Sequence, residues 1–338
     1  MDFIPRVMSR APSIDRLRRW IETRYSERPD KGVRYRDAFW RPPLLPHAAF
    51  DLEAGQIRSL GLSPFVSITD HDDLEACADL NTLGIRVPYS MEWSIPFQGT
   101  MFHIGVHNLP PGQARDLAAG MVRVTTNPTH ELASAMFAEL DSLPNVLLVL
   151  NHPYSNEERV DLVTHKQLLK EFLRLYRCTL HAIELNGLQP AADNRMCIDL
   201  AGEIELPVIS GGDRHCREPN ANLNLTNATS FDEFVDEVRR GLLSHVLFMP
   251  QYRDPIPARY IEFAWHVVQN YPDYKGRERW VDRIFFKREP DGAVVPLSSI
   301  WPDGGPKFVR WCLSGLKLVT PHVRGPWRWA MGESEIGA

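Results

Sequence analysis

Short apolar runs recur through the middle of the chain. They are Phe65–Ile68, Ile85–Tyr89, Met101–Val106, Val146–Leu150, Ala182–Leu185, Pro207–Ile209 and Val246–Met249. Stretches with apolar residues at helical spacing lie between several of them. Phe50–Leu60 is one, and 130–142 follows an Asn127-Pro128 start. Others are 164–177, Asp193–Ala201 before Gly202, and Ser230–Arg240, which opens on the capping-box spacing Ser230-x-x-Glu233 and closes at Gly241. Strands alternating with helices predict parallel βα units, and seven or eight of these suit a barrel. Ser13, Ile14, Leu17, Trp20 and Ile21 predict a short N-terminal helix, followed by the polar linker SERPDKG. After about residue 250 the texture changes to proline, tryptophan and basic residues, with one helical stretch at 261–270. The expected organisation is therefore a helix and linker over 1–36, a barrel over 37–250, and an extension over 251–338 that packs on it.

Composition narrows the class. The chain has 338 residues, 43% hydrophobic and 24% charged, which fits a globular protein and argues against disorder and collagen-like repeats. A net charge of -5 gives nucleic-acid binding no support. The longest apolar run, VLLVL, is too short to span a bilayer, and MDFIPRVMSR has no apolar signal-peptide core. Cys77, Cys178, Cys197, Cys216 and Cys312 form no CxxC pair and read as reduced thiols, so a cytoplasmic location is expected.

Candidate chemistry clusters at the ends of the apolar runs. His71 follows FVSITD, Glu92 follows GIRVPYSM, His152 follows VLLVLN, and Asp213 and His215 follow PVISGG; His103 lies within MFHIGV. In a βα barrel the strand C-terminal ends converge on one rim, which carries the active site. Imidazole and carboxylate together suit Zn²⁺, Mn²⁺ or Fe²⁺, and a carboxylate such as Glu92 can bridge two ions. The two glycines before Asp213 allow close backbone approach to a ligand or metal. His107 sits four residues from His103 on the same strand face and reads as structural.

These residues also carry a resemblance. ITDHD (Ile68–Asp72), Glu92 with His103 eleven residues on, NHP (Asn151–Pro153) and GGDRH (Gly211–His215) occur in an order and spacing that resembles the PHP (polymerase and histidinol phosphatase) family. Ile183–Asn186 followed by Asn194, and Ser230 to His245, resemble its later strand and helix steps. The resemblance covers roughly 37–250. It implies a distorted seven-stranded βα (TIM-like) barrel and hydrolysis of phosphoesters with two or three metal ions. The opening motif departs from the family: Asp37–His47 (DAFWRPPLLPH) falls in its slot, with Phe39 and Arg41 where two histidine ligands are expected. Phe has no donor and guanidinium no available lone pair. The resemblance then implies one site of Glu92, His103 and His152 and another of His71 and His215 with His47, while Asp213 can reach either. Arg41 replaces the lost cation, holds phosphate, or pairs with Asp213 or Glu92.

Arg195, Arg214 and Asn186 are candidate substrate contacts, since Arg favours bidentate oxyanion contacts; ordinary surface arginines and a hydrogen-bonded buried Glu184–Asn186 pair are the plain alternatives. No Walker loop, GxSxG or GxGxxG pattern is present. The expectation is a metal-dependent hydrolase, a phosphoesterase using metal-activated water. Asp213, His215 and Arg41 are central to catalysis, one or two Zn, Mn or Fe ions are bound, and the substrate is a small-molecule phosphoester. A catalytically reduced scaffold serving ligand or protein binding is the alternative. A homo-oligomer is left open.

Overall fold

The computed structural model describes residues 39–318 apart from 42, 43, 157–159, 215, 216, 242, 255, 289, 290, 306 and 308. The N-terminal helix expected from Ser13 lies outside the described residues. The first described strand, β1 (Phe39–Trp40), belongs to a compact unit holding 39–45, Arg217 and 253–318; a second compact unit holds 46–214 and 218–252.

In the second unit the chain runs α1 (Pro46–Ser59), β2 (Asp70–His71), α2 (Glu75–Thr82), β3 (Tyr89–Phe97), β4 (Thr100–Leu109), α3 (Ala114–Thr126) and α4 (His130–Asp141). It continues through β5 (Leu147–Asn151), α5 (Leu162–Tyr176), β6 (Ala182–Asn186), α6 (Ala191–Glu203), β7 (Val208–Gly211), β8 (Asn222–Leu225), α7 (Phe231–Arg239) and β9 (His245–Phe248). Strands β2 to β7 pair in chain order in one six-stranded sheet. The β2–β3, β5–β6 and β6–β7 pairs are parallel, whereas β3–β4 and β4–β5 are antiparallel. Among the described residues no pairing joins the two ends of this sheet. The run expected as the last barrel strand, Val246–Met249, instead pairs as β9 with β8 in a separate two-stranded sheet.

Local chemistry explains the departure from a purely parallel arrangement. Phe97 pairs with Thr100 across Gln98 and Gly99, both at positive φ (47° and 86°). Two central residues at φ > 0 define the turn whose twist matches a tight hairpin. The chain therefore doubles back at once, and β3 and β4 become long antiparallel neighbours. Along β3, Met91, Trp93 and Ile95 face the helices, because side chains alternate with period two. Trp93 is fully buried, tilts onto Phe137 at 5.1 Å, and donates its indole N–H to Met121 O at 3.0 Å. The opposite face presents Ser90, Glu92 and Ser94. Phe172 on α5 contacts Phe97, Phe102, Phe137 and Tyr176. Each such aromatic contributes about 1.5–3 kcal/mol by burial.

Helix starts follow their caps. Thr129 accepts from Leu132 N, Asp161 from Val163 N and Thr164 N, and Ser230 from Glu233 N. Each side chain satisfies donors left open by the first helical turn.

The other unit builds α8 (Ile256–Val268), α9 (Trp280–Arg283), β10 (Ile284–Lys287) and β11 (Val294–Pro296). β1, β10 and β11 form an antiparallel sheet in that order around β10. Phe39–Trp40 is thus the edge of this sheet, and not a strand of the six-stranded one. Val281, Ile284, Phe286 and Leu297 form its core, with Trp40, Trp280 and Trp301 packed against it. The aromatics of the extension therefore have a core of their own to fill. Fully buried Arg283 donates to the carbonyls of Val267, Gln269, Arg277 and Glu278 and lies over the Tyr271 ring. Among the described residues no helix is long and apolar enough to cross a membrane.

Candidate metal centre

Sheet register assembles the site. His71 lies beside Glu92 across β2–β3, Glu92 beside Gly105 across β3–β4, and His103 beside Asn151 across β4–β5. Glu92 and His103 are diagonal neighbours on one face, within side-chain reach. His152 follows β5 directly. Four expected ligands, His71, Glu92, His103 and His152, are thereby brought together from segments up to 81 positions apart.

Glu92 is the pivot. His152 Nε2 lies 3.0 Å and His103 Nδ1 3.5 Å from its Oε1, and His71 Nε2 lies 3.8 Å from its Oε2. Asn151 donates its amide to Oε1 at 3.2 Å. The His71 and His103 rings meet edge-on at 4.9 Å, and those of His103 and His152 at 5.1 Å. Glu92, His103 and His152 are buried, whereas the His71 side chain is 47% exposed and opens the cluster to solvent. Burial alone would raise the pKa of Glu92. The His152 hydrogen bond and the charges of His152, His71 and His103 overcome burial and hold the carboxyl well below its usual range. Burial would lower His152, but its bond to Glu92 and the charges of Asp213, Glu184 and Glu92 raise it to about 10.

The donor set fits a divalent ion. One ligand atom each from His71, Glu92 and His103 lies within 4.8 Å of the others. Two ligands about 2.1 Å from a tetrahedral ion stand about 3.4 Å apart. The 3.5 Å from His103 to Oε1 and the 3.8 Å from His71 to Oε2 of Glu92 are each close to that spacing, one to each carboxylate oxygen. Two imidazoles and a carboxylate suit Zn²⁺, Mn²⁺ or Fe²⁺.

A second carboxylate supports the cluster from behind. Glu184 is buried in the middle of β6 and accepts the His152 backbone N–H at 2.8 Å and the Asn186 amide at 3.3 Å. Burial, reinforced by the charges of Glu92 and Asp213 and opposed by His152, raises its pKa to about 7. The space for it comes from Gly211: a Cβ there would lie 1.6 Å from Glu184 Oε1. The glycine pair before Asp213 was expected to admit a ligand or metal. At Gly211 it admits the Glu184 side chain. Gly105 does similar work opposite Glu92, since a Cβ there would lie 2.8 Å from both Asn151 Oδ1 and His107 Nε2. His107 accordingly packs in the sheet with Ser67 Oγ at 2.8 Å from its Nδ1, and burial lowers its pKa to about 4.

Backbone strain gathers at the same place. Asp72 (φ 52°), His152 (φ 27°) and Asp213 (φ 42°) are non-glycine residues in the left-handed region. Each costs on the order of 1–3 kcal/mol and persists only where surroundings enforce it, as functional sites do. Asp72 is enforced by its N–H to Glu92 O at 2.9 Å and by its carboxylate, which accepts Ser94 N–H at 2.9 Å.

The remaining candidates are distributed differently. Asp213 is half-buried and close enough for its charge to act on His152 and Glu184. His215, with Cys216, lies outside the described residues. His47 is exposed in the first turn of α1. Arg214 is ion-paired with Glu53, whose carboxylate also accepts Asn220 N–H. Asn186 exchanges backbone and amide hydrogen bonds with Asn194 and is buried. Arg195 is exposed on α6. Arg41 belongs to the unit of β1, where its N–H bonds Arg283 O and its guanidinium lies over Phe285. Sequence reasoning passed over Asn151 as an individual contributor and over Glu184 as the anchor of His152. Asn151 stood in the quoted NHP triplet; the role of Glu184 depends on a contact with Gly211, 27 residues away.

No protein-family model and no curated protein matches the chain. Among the solved structures that overlap it are the following two. A Bifidobacterium adolescentis protein whose name assigns it as a metal-dependent phosphoesterase has 15% identity and TM-score 0.36, covering 58% of this chain and 91% of its own. An amidohydrolase from Chromobacterium violaceum, with bound sulfate and no metal, has 14% identity and TM-score 0.35, covering 65% and 92%. Overlap this shallow assigns neither a fold family nor an activity.

Proposed function

We propose that this protein is a metal-dependent hydrolase acting on small-molecule phosphoesters at the His71–Glu92–His103–His152 cluster. The observation that carries the reading is the buried Glu92 carboxylate with three imidazoles converging on it at 3.0–3.8 Å. His71 and His103 offer ring nitrogens, Glu92 the charge, and His152 and Asn151 hold the carboxylate in place. A divalent ion held there supplies Lewis acidity, which acidifies water and neutralises charge developing on a substrate oxygen. The exposed edge of His71 is where substrate reaches the cluster, and Asp213, on the side of His152, is the second acidic group available to the reaction. The phosphoester class, the PHP-type barrel and a part for His215 rest on the ordered motifs alone.

The test is a substrate screen with Zn²⁺ or Mn²⁺ over phosphomonoesters, phosphodiesters and amides, in parallel with Asp213→Ala and His103→Ala. Phosphoester turnover lost in both variants supports the reading. Turnover of amides alone overturns the substrate class, and normal phosphoester turnover in both variants overturns the site. The second reading, a binding scaffold, is favoured by one observation: the segment expected to supply two histidines carries Phe39 and Arg41 and pairs with β10. Metal binding with no turnover on any substrate decides for it.

A further inference from the structure

His165 matched no motif, yet it is completely buried on α5, with Nε2 2.9 Å from Pro153 O and Nδ1 3.4 Å from Thr100 Oγ1. A ring nitrogen facing a carbonyl is the one that carries hydrogen, so Nε2 donates to Pro153. Pro153 follows His152, whose backbone is held at φ 27°. Glu184 accepts the His152 N–H, and Ser155 N–H donates to His152 O at 2.7 Å. Pro153 has no N–H to donate, so its carbonyl is its one backbone hydrogen-bonding group. Thr100 opens β4, the strand that carries His103. One imidazole therefore ties α5 to the loop after β5 and to the first residue of β4.

We propose that His165 is a positioning residue: by holding the Pro153 carbonyl it keeps His152 in the left-handed conformation that aims its ring at Glu92. The proposal rests on the reading of the cluster as a metal centre for its effect on affinity, but its geometry is independent of that reading. Two variants separate positioning from packing. His165→Leu keeps side-chain bulk and removes the donor. His165→Gln places an amide N–H near the Nε2 position.

The first measurement is amide exchange in the metal-free full chain, comparing His152 and Ser155 with Val149 in β5. His165→Leu is expected to speed exchange at His152 and Ser155 by about tenfold or more relative to Val149, and His165→Gln to restore most of the protection. The second is Zn²⁺ affinity, expected to weaken about 10–100-fold in His165→Leu and to stay within about threefold of wild type in His165→Gln. Unchanged exchange at His152 in His165→Leu, or equal loss in both variants, overturns the proposal. If wild type binds no Zn²⁺, the metal-centre reading fails while the exchange comparison still decides the role of His165.

Discussion

Gly211→Ala is the sharpest probe of how the cluster is supported. The added Cβ would lie 1.6 Å from Glu184 Oε1, 2.2 Å from Cδ and 2.4 Å from Cγ. Ordinary contact begins at 3.4 Å, so the carboxylate must retreat by about 1.8 Å. That displacement breaks the 2.8 Å bond from His152 N–H and the 3.3 Å bond from Asn186. Above pH 7, where Glu184 is ionised, a hydrogen bond to this charged group is worth about 1.5–3 kcal/mol and the longer one about 1 kcal/mol, so the expected destabilisation is about 2.5–4 kcal/mol. Urea unfolding measures it, and a double-mutant cycle assigns it. In a Glu184→Ala background the clash partner is gone, and Gly211→Ala is expected to cost less than about 0.5 kcal/mol. Equal costs in both backgrounds would refute the reasoning, because the penalty would then come from somewhere other than the Gly211–Glu184 contact.

Other expectations follow from separate parts of the molecule. His181 accepts Leu148 N–H on Nδ1 and faces Asp141 with Nε2, and burial, with the Arg239 charge, lowers its pKa to about 4 against the pull of Asp141. The unfolded chain takes up this proton first, near pH 6.5, so the contribution is complete above that pH and declines as pH falls toward 4; the loss is about 3 kcal/mol. His181→Gln should flatten this part of the pH dependence of the urea midpoint, and an identical profile would contradict it. Asp72→Ala removes the acceptor for Ser94 N–H, and is expected to cost about 1–3 kcal/mol and to weaken metal binding through His71; an unaltered affinity would show that the Asp72 turn does not position His71.

Much of the candidate cluster could be read from the chain before its fold. Imidazoles and carboxylates at the ends of apolar runs, and His103 within one, singled out His71, Glu92, His103 and His152, which the sheet register brings together. The fold was legible in its elements more than in its pairing. Caps at Ser230 and the periodicity of 130–142 and 164–177 marked helices that the structure contains. The hairpin at Gln98–Gly99 was missed: Gln98 is an unusual residue for positive φ, and the apolar texture of β3 and β4 looks the same in a parallel or an antiparallel sheet. Phe65–Ile68 reads as a strand, but only Asp70 and His71 pair. Its apolar side chains satisfy a loop packed against the sheet equally well. What periodicity cannot encode is close approach between distant segments, which is why the Gly211–Glu184 contact, the Asn151 amide and the His165 clamp emerge only in three dimensions.

The central claim is that Glu92 and its surrounding imidazoles hold a divalent ion. Metal content of the full chain, purified without chelators and then titrated with Zn²⁺ and Mn²⁺, tests it most directly. The account predicts about one to two equivalents in wild type and at least about a hundredfold weaker binding in Glu92→Gln, which keeps the shape but removes the charge. No binding of either ion, or the same affinity in Glu92→Gln, would contradict it.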